Sequence, residues 1–296
     1  MNSPPKVTIG LPFFNPGIHF ENALKSIFCQ TFQDWELILI DDGSTDGSLE
    51  LVQKIQDSRV IVVHDGKNLG LPKRLNQITK IAKGQYIARM DADDLMHPER
   101  ISKQVEFLEK NKTIDMIDCA YVAIDKNNMP TRIMNNSNQI PSAYQLLKHG
   151  GFAHPTIIGK RSWFQANPYN EENIYKRSQD RELFTRTFTH TNWGHICEVL
   201  FFYRYTDNVR TKDFLDSYAG ERRVLLHYGI DLIGIISVIF LYIRSLLKSS
   251  TLQLLSMFGK EQIIAKYTLT GSLPSELYEI IRNIENSKLN IENNIK

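Results

Sequence analysis

Short apolar runs alternate with helix-period stretches through the first half of the chain. Residues 7–11, 36–40, 60–63, 86–90 and 114–122 are β-rich runs. Between them, residues 20–29, 44–55, 72–81 and 98–111 space their apolar positions as amphipathic helices do. This alternation predicts βαβ units, an α/β fold with a mostly parallel central sheet flanked by helices. Sheets of this kind bind ligands in the crevice at the carboxyl ends of their strands. Four runs end there in polar or turn residues: Pro12-Phe13-Phe14-Asn15, Asp41-Asp42-Gly43-Ser44, His64-Asp65-Gly66 and Asp91-Ala92-Asp93-Asp94. A parallel sheet brings these four loops to one cleft. From 130 to 177 the pattern is irregular, broken by Gly150-Gly151, Pro155 and Pro168. After Thr206 it becomes apolar and basic, with helical patterns over 214–247 and 252–268 and a frayed, Asn-rich stretch over 287–296.

Composition narrows the partners more than the fold. The 296 residues are 42% hydrophobic and 23% charged, which is ordinary globular usage. A net charge of +2 argues against nucleic acid as the main partner. Cys29, Cys119 and Cys197 are odd in number and widely spaced, which excludes a disulfide framework or zinc ribbon and fits a reducing compartment. The first residues, Met1 to Lys6, lack the apolar segment of a secretory signal. The uncharged stretch 232–243 is shorter than the roughly 20 residues that span a bilayer. The expected location is cytoplasmic.

The acidic cluster carries the strongest chemistry. Crowded carboxylates raise one another's pKa unless a cation or hydrogen bonds offset them. Mg2+ binds through one or two carboxylates plus substrate phosphates. A cation-bound phosphate ester is one reading of Asp91-Ala92-Asp93-Asp94, and a helix-capping turn before Pro98-Glu99-Arg100 is the other. Asp41-Asp42-Gly43-Ser44-Thr45-Asp46 is likewise either a capped turn or a carboxylate that accepts from a uracil N3–H or ribose hydroxyls. Neither GxxxxGK[ST] nor GxGxxG occurs, so P-loop and dinucleotide sites are disfavoured.

Taken in order, these segments resemble the inverting glycosyltransferases of family 2, bacterial surface-polysaccharide type, which are built on the GT-A fold. The matching residues are Val7 to Asn15, Gln30 to Asp46, Asn68-Leu69-Gly70-Leu71, Gly84 to Asp94 and Pro98-Glu99-Arg100. The resemblance covers roughly residues 6–206 and implies a catalytic domain over 1–210. Its nucleotide-sugar half would run to about 112, its acceptor half over 113–210, and a helical extension over 211–296. It implies that Pro12, Phe14 and Asn15 line a nucleoside pocket and that Asp42, with Asp41 beside it, reads the uracil edge. Asp91-Ala92-Asp93 would be the DxD motif, with Asp91 near ribose and metal and Asp93 holding Mn2+ or Mg2+ on the diphosphate. Asp180 in Ser178-Gln179-Asp180-Arg181-Glu182 matches the catalytic base, although Gln179 replaces the family's preceding Glu. Glu182 is the alternative base, and His154 and Glu182 are acceptor-side candidates. Arg74 is either a phosphate neighbour or a solvated helix residue. Tyr203-Arg204-Tyr205-Thr206 ends in Thr where the family often has His.

The implied reaction moves a hexose or N-acetylhexosamine from a UDP-sugar to a hydroxyl of a growing surface glycan (lipopolysaccharide, O-antigen or capsule) with inversion. The acceptor would be an oligosaccharide or a lipid-linked glycan. Arg222, Arg223, Arg244, Lys248, Lys260 and Lys266 around the apolar C-terminal pattern suit peripheral contact with the inner face of the cytoplasmic membrane, a protein contact or an oligomer. A sugar nucleotidyltransferase is an alternative, but its triphosphate loop would be Gly-rich and basic, unlike Phe13-Phe14-Asn15-Pro16-Gly17. A catalytically silent nucleotide-sugar-binding subunit is another, and the presence of Asp91, Asp93 and Asp180 speaks against it.

Overall fold

The computed structural model describes residues 3–137, 139–175, 177–205, 210–260 and 273–290. Strands β1 (Val7–Phe13) and β2 (Trp35–Asp41) are buried at every position. Their side chains have no polar face because helices cover both sides of the sheet. Helix α1 (Phe20–Phe28) buries Phe20, Ala23, Leu24 and Ile27, the spacing of one helical face. After α2 (Ser48–Gln53), β3 (Val60–Val63) and α3 (Leu71–Ile81), the chain enters β4 (Tyr86–Arg89) through a close approach at Gly84. A Cβ on Gly84 would stand 2.3 Å from the Thr8 backbone nitrogen. Glu36 fixes this crossing by accepting from Thr8 Oγ1 at 2.6 Å and Lys83 N at 2.6 Å.

The strand pairs β1–β2, β1–β4 and β2–β3 are parallel, as the alternation predicts. Beyond β4 the sheet is mixed. It continues through β5 (Leu95–Met96), α4 (Arg100–Lys110), β6 (Met116–Ile124), β7 (Pro130–Met134), α5 (Ala143–His149), β8 (Ile158–Lys160), α6 (Arg161–Ala166), α7 (Gln179–Thr187) and β9 (Trp193–Arg204). Strand order is β3-β2-β1-β4-β8-β6-β9-β5, with β7 beside β6. The β4–β8, β6–β8, β6–β7 and β5–β9 pairs are antiparallel, and β6–β9 is parallel. The irregular stretch thus contains two short helices and two short strands, one of which, β8, joins the sheet's halves.

The C-terminal pattern is two separate structures. Helix α8 (Thr211–Val224) runs through a π-helical turn, Leu225–Gly229, into α9 (Ile230–Ile233). The expected helix over 214–247 is broken at Gly234, whose φ of +77° a side chain would strain. Helix α10 (Ile235–Met257) then packs back on α8, burying Val238, Leu241, Ser245, Ser249 and Leu252. Its 23 residues are long and apolar enough to cross a membrane by length and composition alone, which corrects the shorter stretch expected from sequence. Helix α11 (Ser275–Asn286) instead closes the sheet. Its Leu277, Ile281 and Ile284 cluster with Leu95, Val122, Ile124 and Phe202. Asn290 exchanges bonds with the Gln56 backbone, so the expected fraying does not hold for 287–290. The rest of that stretch, the end of the expected 252–268 helix, Lys266 and Thr206 lie outside the described residues.

Candidate active site

The first two strand ends are tied together before any ligand enters. Phe13 pairs with Asp41, and the Asp42 N–H donates to the Phe13 carbonyl at 2.8 Å. Asn15 has a φ of +46°, a conformation Asn tolerates, and its Oδ1 accepts from Thr45 N at 2.7 Å. Its own N–H donates to Ser44 Oγ. Pro12 is buried in β1, while Phe14 stands 52% exposed at the mouth. Asp41 accepts from Ser44 N at 2.8 Å.

Asp42 is built into the wall. Its carboxylate accepts from Leu69 N at 2.7 Å, Gly70 N at 3.0 Å and Arg74 Nε at 2.8 Å. Both readings of Arg74 are corrected here, because its guanidinium is fully buried between Asp42 and Asp65 and neither reaches solvent nor stands free for phosphate. Arg74 and the Lys67 N–H hold the Asp65 carboxyl down to about 2.

The acidic turn joins β4 to β5. Arg89, in the last position of β4, grips Asp91 with two bonds of 2.6 and 2.9 Å. Residues two apart on a strand share a face, so an arginine inside the apolar run ahead of Asp91 was the signal for this pair. Burial, and then the Asp91 charge, pushes the Asp93 carboxyl up to about 6. Ala92 packs against the apolar core. Asp94 is buried, accepts from Arg204 N at 2.7 Å, and has its other oxygen unpartnered. Desolvation and its two acidic neighbours raise it well above the usual carboxylate range. Arg204 is the brace of the turn. Its Nε donates to the Asp93 carbonyl at 2.7 Å, its Nη1 to the Asp125 carbonyl and its Nη2 to Asn128, which in turn bonds to Glu285 of α11.

Beside this turn lies a cavity of about 630 Å3, lined by Arg89, Asp91, His154, Asp180, Tyr203 and Asn135 among others. Of the sequence-predicted site residues, Asp91, His154 and Asp180 line it; the Pro12, Phe14, Asn15, Asp41 and Asp42 group stands at the adjoining strand ends. Asp180 sits in the first turn of α7, after Ser178, whose N–H and hydroxyl both donate to the Tyr175 carbonyl. His154 is buried with Nε2 2.8 Å from the Tyr169 hydroxyl, and burial with the Arg89 charge holds it well below 6.5, so the ring is neutral. Glu182 does not reach the cavity, which corrects its assignment as acceptor-side residue and alternative base. It is fully buried, and Arg186 Nε at 2.7 Å and the Tyr228 hydroxyl at 2.8 Å occupy its carboxylate. Arg89, Arg181, Tyr203 and Tyr205 stand inside the family-like segments, with no individual role read for them from the sequence.

A family model described as glycosyl transferase family 2 matches residues 8–172. EpsE of Bacillus subtilis (strain 168), named as a glycosyltransferase, is 30% identical over 234 residues, covering 77% of this chain and 82% of that one. WfaP of Escherichia coli, named as a UDP-Glc:alpha-D-GlcNAc-diphosphoundecaprenol beta-1,3-glucosyltransferase, is 32% identical over 155 residues, 52% of this chain and 61% of its own length. Among solved structures, S. aureus TarS 1-349 in complex with UDP-GlcNAc aligns with a TM-score of 0.62 at 16% identity, covering 94% of this chain and 79% of that one. The mannosyltransferase PcManGT from Pyrobaculum calidifontis, in complex with GDP-Man and Mn2+, aligns at 0.53 and 14% identity, covering 95% and 84%. The family match spans more than half of the chain, and the sheet with its acidic turn agrees with it. The chain belongs to glycosyl transferase family 2 and has the GT-A fold.

Proposed function

We propose that this chain transfers a hexose or N-acetylhexosamine from a UDP-sugar, with inversion, to a hydroxyl of a growing surface glycan, working at the cytoplasmic side of the membrane. One observation carries the reading: Asp91, from the nucleotide half, and Asp180, from the acceptor half, line the same cavity. The UDP-GlcNAc bound to TarS and the substrate in the name of WfaP support a UDP-sugar donor and a glycan acceptor. Membership in a glycosyl-transfer family leaves the nucleotidyltransferase alternative without support.

Pro12, Phe14 and Asn15 would frame the nucleoside. Asp42 would read the uracil edge through Oδ2, the oxygen with the fewer protein donors. Among the described residues no three His, Cys, Asp or Glu side chains gather as a metal site. A two-carboxylate turn still suits Mn2+ or Mg2+, which takes the rest of its ligands from phosphate. The raised Asp93 carboxyl fits this role, since a cation offsets the Asp91 charge that destabilises its ionised form. When bound, such an ion neutralises the leaving diphosphate. Arg89 fixes the Asp91 carboxylate, which would face the ribose, and Asp180 would accept the acceptor hydroxyl's proton as that oxygen attacks. Neutral His154 lines the acceptor side and would orient a hydroxyl there, its ring fixed from behind by Tyr169.

The deciding experiment is donor hydrolysis and transfer with a panel of UDP-sugars and Mn2+, on the native chain and on Asp180→Asn. The variant should bind UDP normally and lose on the order of 10²–10⁴-fold in turnover. Near-native turnover would remove Asp180 as base.

A further inference from the structure

Asp118 is a buried carboxylate that takes no part in the transfer chemistry. The sheet register brings it to the mouth of the cavity. Ala88, Ile158 and Ile117 share one row across β4, β8 and β6, and β4 and β6 run in the same direction. The next residues of those two strands, Arg89 and Asp118, therefore reach the same edge. On β9, His195 pairs with Asp118 in register, and its Nδ1 lies 2.7 Å from Asp118 Oδ1. Asn135 Nδ2 donates to Oδ2 at 2.7 Å, and the Ala153 N–H donates to the same carboxylate. Burial pushes the Asp118 carboxyl up, and these three donors act against that push.

This arrangement fixes the direction of an amide. A carboxylate offers its partners only acceptor oxygens, so the Asn135 amide must turn its NH2 toward Asp118. Its Oδ1 then points the other way, and no group among the described residues donates to it. Asn135 sits just past β7 with a φ of +56°, a left-handed conformation that Asn tolerates, and it lines the cavity beside Met134. The cavity thus holds a neutral acceptor whose orientation is set from behind.

Next to Asn135 stands an aromatic wall. Tyr121, the register partner of Met134, packs on Tyr203 with ring centres 5.6 Å apart, and Tyr203 packs on Tyr205 at 4.9 Å. All three rings line the cavity. Burial first, and then the Asp94 and Asp91 charges, push the Tyr203 hydroxyl well above its usual range, so the wall begins at the acidic turn. A sugar hanging from a diphosphate at that turn lies along these rings. An apolar surface with a few convergent polar groups is how small-ligand sites achieve selectivity.

We propose that Asn135 is a specificity-determining residue: the transferred sugar packs on the Tyr121–Tyr203–Tyr205 wall, and one hydroxyl or acetamido N–H that it carries donates to Asn135 Oδ1. Asp118 is the positioning residue that keeps this oxygen turned inward. The inference rests on the UDP-sugar reading above and adds the group that selects among sugars on one nucleotide.

The test is titration calorimetry on the full chain with Mn2+, against UDP, UDP-glucose, UDP-galactose, UDP-GlcNAc and UDP-GalNAc. Analogues of the tightest donor, each lacking one ring substituent, follow. Asn135→Ala should leave UDP affinity unchanged and weaken that donor by about three- to tenfold, the worth of one neutral hydrogen bond. In the native chain one analogue should show the same loss, and Asn135→Ala should bind that analogue and its parent alike. Asp118→Asn, in which an amide faces an amide and Asn135 can turn over, should blunt the same discrimination while UDP still binds. Undiminished sugar affinity in Asn135→Ala overturns the proposal, and so does an equal loss for UDP and its sugars, which a merely structural role would give. Full discrimination in an Asp118→Asn chain that binds UDP removes the positioning role. A native chain that binds neither UDP nor any UDP-sugar overturns the donor reading itself, whereas failure at Asn135 alone leaves that reading in place.

Discussion

His154 shows how a single side chain couples the cavity to pH. Its folded pKa lies well below 6.5, so below that value the unfolded chain takes up a proton that the folded chain refuses. Stability should therefore be full above about pH 6.5 and fall as pH drops, by up to about 2 kcal/mol at pH 5 from this ring. His154→Gln, which keeps a bond to Tyr169, should flatten that slope when denaturation midpoints are compared at pH 5 and 7.5. For Asp93 the expected effect is on ligand binding instead. Asp93→Ala should weaken Mn2+-dependent UDP binding by at least about tenfold, and unchanged affinity in the presence of Mn2+ would remove it as the metal residue. Arg89 belongs with these two, because the Asp91 carboxylate owes its orientation to that guanidinium.

Elements differ in how openly they announce themselves. Gly84→Ala should destabilise the chain by about 1–3 kcal/mol, since its methyl meets backbone and the α3–β4 crossing cannot move without disturbing Glu36; a denaturant titration reads this directly. The four parallel strands and their helices were legible because each carries its own period, and the acidic ends of β2 and β4 stand out against apolar runs. Strands β5, β7 and β8 were not legible. They are two, five and three residues long, too short for a period, and exist because β6 and β9 offer them partners. The site followed the same rule. Asp91 and Asp180 came from motif order, whereas Glu182 looked catalytic only because local sequence cannot show that Arg186 and Tyr228 already hold it. Arg204 likewise stood in a family-like segment with no role assigned to it, because only β9 carries it under the acidic turn.

At the scale of the whole molecule, residues far apart in sequence complete one another. Helix α11 supplies three of the side chains that cover β5, β6 and β9. Removing everything after Lys260 should cost on the order of 3 kcal/mol or more, the worth of burying several such side chains less the entropy of ordering the helix. The measurement is the urea midpoint, and an unchanged value would show that α11 is only an ornament of the sheet. Glu285, Asn128 and Arg204 also lead from α11 to Asp93 and Asp94 in an unbroken series of hydrogen bonds. That series has a consequence for biosynthesis. Domains begin to fold while the ribosome is still adding residues, so the βαβ half of this protein can form early. Its acidic turn, however, acquires its last brace only after residues 275–286 have left the ribosome. The turn of a nascent chain is thus left without its outermost support until those residues have been made.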